Sequence, residues 1–447
     1  MAEKLFGTDG LRGIANTYPL NVDFCVHLGN ILGQHFCTAK RRIAIARDTR
    51  ISGTMLFSAL AAGLTAQGID VLDLGVIPTP LCTTLTPELD VDMSIMITAS
   101  HNPYQDNGLK LINSAGDKFS DKDTTKVEAL LQTPYSPQYD AQKIGQIIEL
   151  DCGLDDYYDA VNALADADSL HSLKIALDSA NGAFADILPY VFKYLGAEVI
   201  SLADSPNGYN INENCGSQHT EILCQTVIEN KCDIGIAVDG DGDRIIICDE
   251  TGQRLNGDQI IAFLAKYMQA HNLLKGNAVV STIYSNMGLG KYIRSLGLEH
   301  YASAVGERYV IEKMREVNSN LGGEESGHMV LSDYSRTGDA MLAAIVVCRG
   351  IKESGKKVSE SFPVFTPFPT EAHNLRFADK ATIDKILENQ QVKLCIEQVK
   401  NRLNGHGSLI IRKSGTEPVI RLKIEDEDAA IAAREAILLL DCLNKYA

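Results

Sequence analysis

The strongest constraint on the fold is an internal echo. Residues 43–75 (IAIARDTRISGTMLFSALAAGLTAQGIDVLDLG), 173–203 (LKIALDSANGAFADILPYVFKYLGAEVISLA) and 278–303 (AVVSTIYSNMGLGKYIRSLGLEHYAS) share one order of features. Each reads as an apolar strand, a short polar loop, a helix, a glycine and a second short strand. In the first copy Leu56, Leu60 and Leu64 fall on one helical face. Gly68, Gly196 and Gly297 stand where a helix C-terminus favours a left-handed residue. Strand–helix–strand units of this kind build parallel sheets covered by helices. Three copies predict three related α/β domains.

The chain has 447 residues, enough for three or four domains at roughly 100–200 residues each. Its last part breaks the pattern. Residues 361–369 (SFPVFTPFP) are proline-rich and read as an interdomain linker. A strand is expected near His373–Phe377, then a long helical stretch to about Leu403. The strands SLIIRK and PVIRLKIE follow, joined by Ser414-Gly415-Thr416-Glu417, and an amphipathic helix runs from about Asp428. A softer break, rich in Tyr, Pro and Gln, lies at 132–141. The expected fold class is α/β: three related mixed-sheet α/β domains, then a smaller α+β C-terminal domain, arranged around a central cleft. The boundaries are placed at 1–150, 151–253, 254–366 and 367–447.

Net charge is −17 and no stretch carries a dense Lys/Arg block. That argues against a nucleic acid or an anionic membrane surface as partner. An anionic ligand would have to be met by a few local arginines and lysines. The 11 cysteines include no C-x-x-C pair and mostly sit in apolar runs, so they read as reduced core thiols of a cytoplasmic protein. The N-terminus lacks a basic region followed by an apolar core, so no secretory signal is expected. The longest apolar run, Ala340–Cys348, is too short to span a bilayer.

Four polar loops stand out, one per domain. The apolar run Ile95-Met96-Ile97 delivers Ser100 and His101 to a turn, with Lys110 further on. Alone, a polar loop after a core strand explains it, because serine hydroxyls satisfy local backbone groups. The second loop is Asp239-Gly240-Asp241-Gly242-Asp243-Arg244. Three carboxylates at alternate positions need a balancing cation, and a divalent metal with oxygen ligands supplies it. A calcium loop fits poorly, since Arg244 takes the position that needs glycine and the flanks read as strands. The third, Gly322-Gly323-Glu324-Glu325-Ser326-Gly327-His328, suits a polyhydroxyl ligand, although exposed glutamates in a turn are the simpler reading. The fourth, Arg412-Lys413-Ser414-Gly415-Thr416-Glu417-Pro418 with Arg421 beyond it, offers N–H groups, hydroxyls and guanidinium groups to a phosphate. Loops of this composition at strand ends are where α/β folds place their sites, so four together favour a single interdomain cleft.

With these loops, the segment Phe6-Gly7-Thr8-Asp9-Gly10-Leu11-Arg12-Gly13 completes a set whose order and spacing resemble the α-D-phosphohexomutase family over essentially the whole chain. Within it the chain looks most like the branch that interconverts glucosamine 6-phosphate and glucosamine 1-phosphate, on the route to UDP-N-acetylglucosamine. The resemblance implies four domains, three of them alike. It implies that Ser100 is the phosphorylated nucleophile. Asp239, Asp241 and Asp243 would hold one Mg²⁺ per chain, with an oxygen of phosphorylated Ser100 as a further ligand. Ser414, Gly415 and Thr416, with Arg412 and Arg421, would bind the substrate phosphate, and Glu324 and Ser326 the sugar hydroxyls. Arg12 and Arg244 would stabilise phosphoryl charge. His101, Lys110 and His328 are the candidates for proton transfer, with Lys110 and His328 ranked first. The intermediate would be glucosamine 1,6-bisphosphate, which turns over within the cleft. The partner expected is a small phosphosugar, with homodimerisation also in view.

Two residues depart from that branch. Glu325 stands where glutamine is usual, and Glu307 in Gly306-Glu307-Arg308-Tyr309-Val310 where aspartate is usual. Glu325 bears on which hexose is preferred, so a phosphomannomutase or phosphoglucomutase is the alternative. Apart from Glu307, residues 306–310 match the glucosamine branch better, and so do residues 6–13. A phosphoserine hydrolase and a non-catalytic phosphosugar-binding protein are the rivals from other classes.

Overall fold

The computed structural model describes residues 4–133, 139–152, 154–413 and 418–446. Their strands fall into four sheets. The first sheet runs, edge to edge, Phe6–Gly7, Gly10–Ile14, Asp106–Asn113, Met93–Ile97, Arg42–Arg47, Asp70–Val76, Ile147–Glu149. The second runs Arg254–Leu255, Ile245–Asp249, Ile234–Val238, Lys174–Asp178, Glu198–Leu202. The third runs Glu299–Ser303, Ala278–Thr282, Leu321–Gly323, Met329–Leu331. The fourth has Val419–Asp426 between Thr370–Arg376 and Gly407–Lys413.

The echo in the sequence is the parallel half of each of the first three sheets. Arg42 pairs with Asp70, Lys174 with Glu198 and Ala278 with Glu299, all in parallel ladders. Gly68, Gly196 and Gly297 have φ of 71°, 85° and 77°, the left-handed values that end each repeat helix. The other half is legible only in part: strands beside the serine and aspartate loops are expected, but not their pairing. In each domain a further strand pairs in parallel with the first strand of the repeat, then returns as an antiparallel hairpin. These hairpins are Met93–Ile97 with Asp106–Asn113, Ile234–Val238 with Ile245–Asp249, and Leu321–Gly323 with Met329–Leu331. The serine, aspartate and glutamate loops are the three hairpin tips. A shared topology therefore places them alike.

One apolar core runs through residues of the first, second and third sheets. The run Ala340–Cys348 lies in the helix Ala340–Ser354, whose apolar side chains are buried in that core. No helix among the described residues is long and apolar enough to cross a membrane. The proline-rich segment is anchored at its start: Phe362 is fully buried and stacks on Phe263 with ring centroids 4.5 Å apart. The stretch expected to be helical up to Leu403 is two helices, Lys380–Glu388 and Gln390–Leu403. Asn389 divides them, and its side chain accepts from the Gln391 N–H.

The helices Val22–His35 and Ser52–Thr65 cross at two glycines. A Cβ on Gly63 would lie 2.3 Å from the Val26 carbonyl oxygen, and one on Gly29 2.5 Å from that of Leu60. Gly63→Ala is expected to force the helices apart and lower stability by about 1–3 kcal/mol, read as a lower Tm with the sheet signature of circular dichroism retained.

Asp339 caps the buried helix through the Leu342 N–H at 3.0 Å. Burial raises its carboxyl from 3.8 to about 7. The folded state therefore holds a proton that the unfolded chain releases, and stability falls as pH rises through that window. Asn keeps the cap without the charge. Asp339→Asn should raise Tm at pH 8 and change it little at pH 4.

Candidate active site

Ser100 follows the strand Met93–Ile97 with φ 54°, a left-handed backbone that costs a non-glycine residue about 1–3 kcal/mol. Its surroundings impose that conformation. The Ser100 N–H donates to Thr98 Oγ1 at 2.9 Å. Its carbonyl accepts from Arg50 Nη2 at 2.9 Å and from Asn212 Nδ2 at 2.8 Å. Arg50 is itself buried and locked to Asp48 at 2.9 Å. Ser100 Oγ then donates to Asp239 Oδ2 at 2.6 Å, and His101 Nδ1 lies 3.4 Å from it.

The tip of the second hairpin holds Asp239, Asp241 and Asp243, all fully buried, with carboxylate oxygens within 4.8 Å of one another. Gly182 lets the tip settle, because a Cβ there would meet the Gly240 carbonyl oxygen at 2.3 Å. Burial, with Asp243 and Asp241 adding to it, pushes Asp239 up to about 7. Asp241 Oδ1 makes no hydrogen bond, and Asp243 Oδ1 lies 3.0 Å from His328 Nε2 without an aligned one. Buried carboxylate oxygens without donors are costly. A cluster of oxygen-only ligands in which Asp241 Oδ1 has no donor fits a hard divalent cation.

Lys110 answers part of this charge. The antiparallel return sets it opposite Met96, and its Nζ reaches Asp241 Oδ2 and Asp243 Oδ2, both at 2.7 Å. Burial opposes its charge, but Asp241, Asp243 and Asp9 outweigh that and hold it as an ammonium. His328 behaves alike. Burial disfavours its imidazolium, yet Asp243 and the bond to Glu324 raise it to about 10. His101 goes the other way: burial, helped by Arg244 and Arg12, lowers it to about 3. One candidate is thus neutral and two are cationic.

The second and third hairpin tips meet directly. Ile245 N–H donates to the Gly327 carbonyl at 3.0 Å, and Arg244 bridges His328 in antiparallel fashion. Glu324 accepts from His328 Nδ1 at 3.0 Å and from the Gly306 N–H at 2.9 Å. Ser326 Oγ lies 3.4 Å from the same Nδ1. Above them opens a cleft of about 510 Å³ lined by Asp9, Arg12, Arg244, Glu307, Glu324, Ser326, His328 and Arg421. Arg12 donates to Asp9 at 2.5 Å. Arg244 Nε makes no hydrogen bond and lies 3.9 Å from Asp239 and Asp243. Arg412 pairs in register with Arg421, and its guanidinium carbon sits 4.8 Å from the Tyr284 ring centroid. Ser414, Gly415 and Thr416 lie outside the described residues.

Sequence reasoning missed the second layer. Lys118 donates to Asp9 Oδ1 at 2.6 Å and to Glu307, which also accepts from Thr337 Oγ1 and from the Gly338 N–H at 2.6 Å. These contacts tie the first domain to the third. Asp9 stood inside a noted motif without a role. Lys118 carried no signal, because its partners lie 109 and 189 residues away.

The same four-part organisation emerges from comparison with known proteins. Family models for phosphoglucomutase/phosphomannomutase match in four pieces: α/β/α domain I at 3–137, domain II at 155–252, domain III at 256–368 and the C-terminal domain at 373–438. The phosphoglucosamine mutase of Paramagnetospirillum magneticum is 41% identical over 451 residues, covering 100% of both chains. That of Granulibacter bethesdensis is 42% identical over 445 residues, covering 99% of this chain and 96% of its own. A solved phosphoglucomutase/phosphomannomutase family protein of Burkholderia thailandensis has the same fold, with a TM-score of 0.81 at 22% identity, covering 100% of this chain and 98% of its own. The chain belongs to the phosphoglucomutase/phosphomannomutase family, the α-D-phosphohexomutases.

Proposed function

We propose that this enzyme is a phosphoglucosamine mutase that interconverts glucosamine 6-phosphate and glucosamine 1-phosphate through phosphorylated Ser100. The observation that carries the reading is Ser100 itself. Its strained backbone is fixed by two domains, and its Oγ is aimed at an acidic tip where Asp241 Oδ1 has no donor. The extent of identity to phosphoglucosamine mutases supports the choice of hexose. Cytoplasmic location and a homodimer belong to the same reading.

Asp239, Asp241 and Asp243 would hold the divalent cation, Mg²⁺ in this reading. When bound it would supply Lewis-acid withdrawal of charge from a transferring phosphoryl group. The chain's own residues do the rest. A free sugar hydroxyl attacks phosphorus on Ser100, the bond to Oγ breaks, and the bisphosphorylated sugar forms. Lys110 and His328, held cationic, stabilise phosphoryl oxygens or donate a proton, and Arg12 and Arg244 flank the same charge. His101 is the neutral candidate, 3.4 Å from Ser100 Oγ. With its pKa lowered to about 3 it is a weak base, so it takes the hydroxyl proton only late, as the new P–O bond acidifies that hydroxyl. Glu324 and Ser326 take sugar hydroxyls, while Arg412 and Arg421 take the phosphate that is not reacting. The bisphosphate then turns so that its other phosphate faces Ser100.

Assays on glucosamine, glucose and mannose phosphates should give the highest kcat/KM for glucosamine. Labelled phosphate from the bisphosphate should appear on Ser100 during turnover and vanish with activity in Ser100→Ala. Turnover without label on Ser100 refutes the mechanism, phosphate release outpacing isomerisation indicates a hydrolase, and a preference for glucose or mannose moves the assignment to another branch.

Asp241→Ala should abolish metal-dependent turnover while keeping the far-ultraviolet spectrum. Titration calorimetry should show the loss of Mg²⁺ binding independently of activity.

A further inference from the structure

The fourth domain meets the third through a charged sheet face. Arg421, Lys423 and Glu425 alternate on the strand Val419–Asp426, and Arg412 pairs opposite Arg421, so all four share that face. The opposite face carries Ile420, Leu422 and Ile424 into the domain's core. Lys423 is only 7% exposed. A buried ammonium must find partners. It takes Glu425 at 2.8 Å, the Tyr284 carbonyl oxygen, and Glu325 at 3.7 Å. Glu425 is already engaged by the Met287 N–H at 2.9 Å and by Asn286 Nδ2 at 3.2 Å. The Tyr284 ring lies beneath Arg412 and Lys423, with centroids 4.8 and 5.6 Å away.

Glu325 differs from Lys423's other partners in its place. It stands between Glu324 and Ser326 at the third hairpin tip, and its carbonyl accepts from the Gly257 N–H at 3.0 Å. Its side chain turns from the cleft toward the fourth domain. The carboxylate that sets this chain apart in the sequence thus has a specific cationic partner across the domain boundary.

We propose that Glu325 and Lys423 form an interdomain tether that sets the spacing between the sugar loop and the Arg412–Arg421 face, which makes them positioning residues for the phosphosugar. The tether deepens the proposed function, since it rests on reading Glu324 and Ser326 as sugar contacts and Arg421 as a phosphate contact. A phosphosugar spanning both sites binds only when they stand the right distance apart. Loosening the tether therefore weakens capture of substrate more than it slows the chemistry at Ser100.

Steady-state kinetics on glucosamine 6-phosphate with Glu325→Gln, Lys423→Met and the double variant test this. A partly exposed pair of this kind is worth roughly a 2- to 5-fold rise in KM on Glu325→Gln, with kcat within about 2-fold. Lys423→Met should raise KM further, because it leaves Glu325 and Glu425 facing each other without a cation. In that background Glu325→Gln should lower KM instead of raising it. Multiplicative single effects, or a fall in kcat with KM unchanged, overturn the tether.

Small-angle scattering of the ligand-free protein supplies a readout that does not depend on turnover. Glu325→Gln should give a larger radius of gyration than the wild type, and an unchanged radius overturns the proposal even if Lys423→Met fails to fold. If the wild type turns over no phosphohexose, the functional reading fails while scattering still decides the tether.

Discussion

Charge balance around three buried aspartates governs this molecule. Asp239, Asp241 and Asp243 are removed from water, and the protein sends Lys110 to them from another domain. An ion pair at such depth gives little net stability, because desolvation offsets attraction. What it gives is placement. Lys110 reaches the cluster only if the first hairpin returns in the right register, and Ser100 meets Asp239 only if its tip is bent left-handed. The acidic cluster thereby orients the loop that carries Ser100.

The second layer extends the same logic outward. Asp9 joins Arg12 and Lys118, and Lys118 joins Glu307 on the third domain. Asp9 and Glu307 thus share Lys118, as Asp241 and Asp243 share Lys110 at the second hairpin tip. There two oxygens lack aligned donors. The excess of negative charge is concentrated where a cation and a phosphoryl group would meet.

Much of this was legible in the sequence, for identifiable reasons. Strand, helix, glycine and strand have strong local signatures, so the three parallel units could be read directly, and the helix-ending glycines carry the expected positive φ. The loops were legible because clustered aspartates and a serine after a core strand are chemically conspicuous. The hairpins were legible only as separate strands beside the loops, since nothing local tells which strand a returning segment pairs with. Lys118 and Asn212 were missed because their roles depend on contacts across more than a hundred residues. The helix break at Asn389 was missed for a different reason: a cap residue in a continuous amphipathic pattern is easily read as part of the helix.

The backbone pairing of Ile245 with Gly327, and of Arg244 with His328, has a mechanical meaning. Main-chain bonds between two hairpin tips tolerate little sliding, so the acidic tip and the Glu324–His328 tip are held as one unit. In the proposed mechanism the room for the bisphosphate to turn would come from the facing C-terminal domain with Arg412 and Arg421. Changes confined to the contacts of that domain would alter its distance from the other two tips and leave Ser100 and the acidic tip untouched.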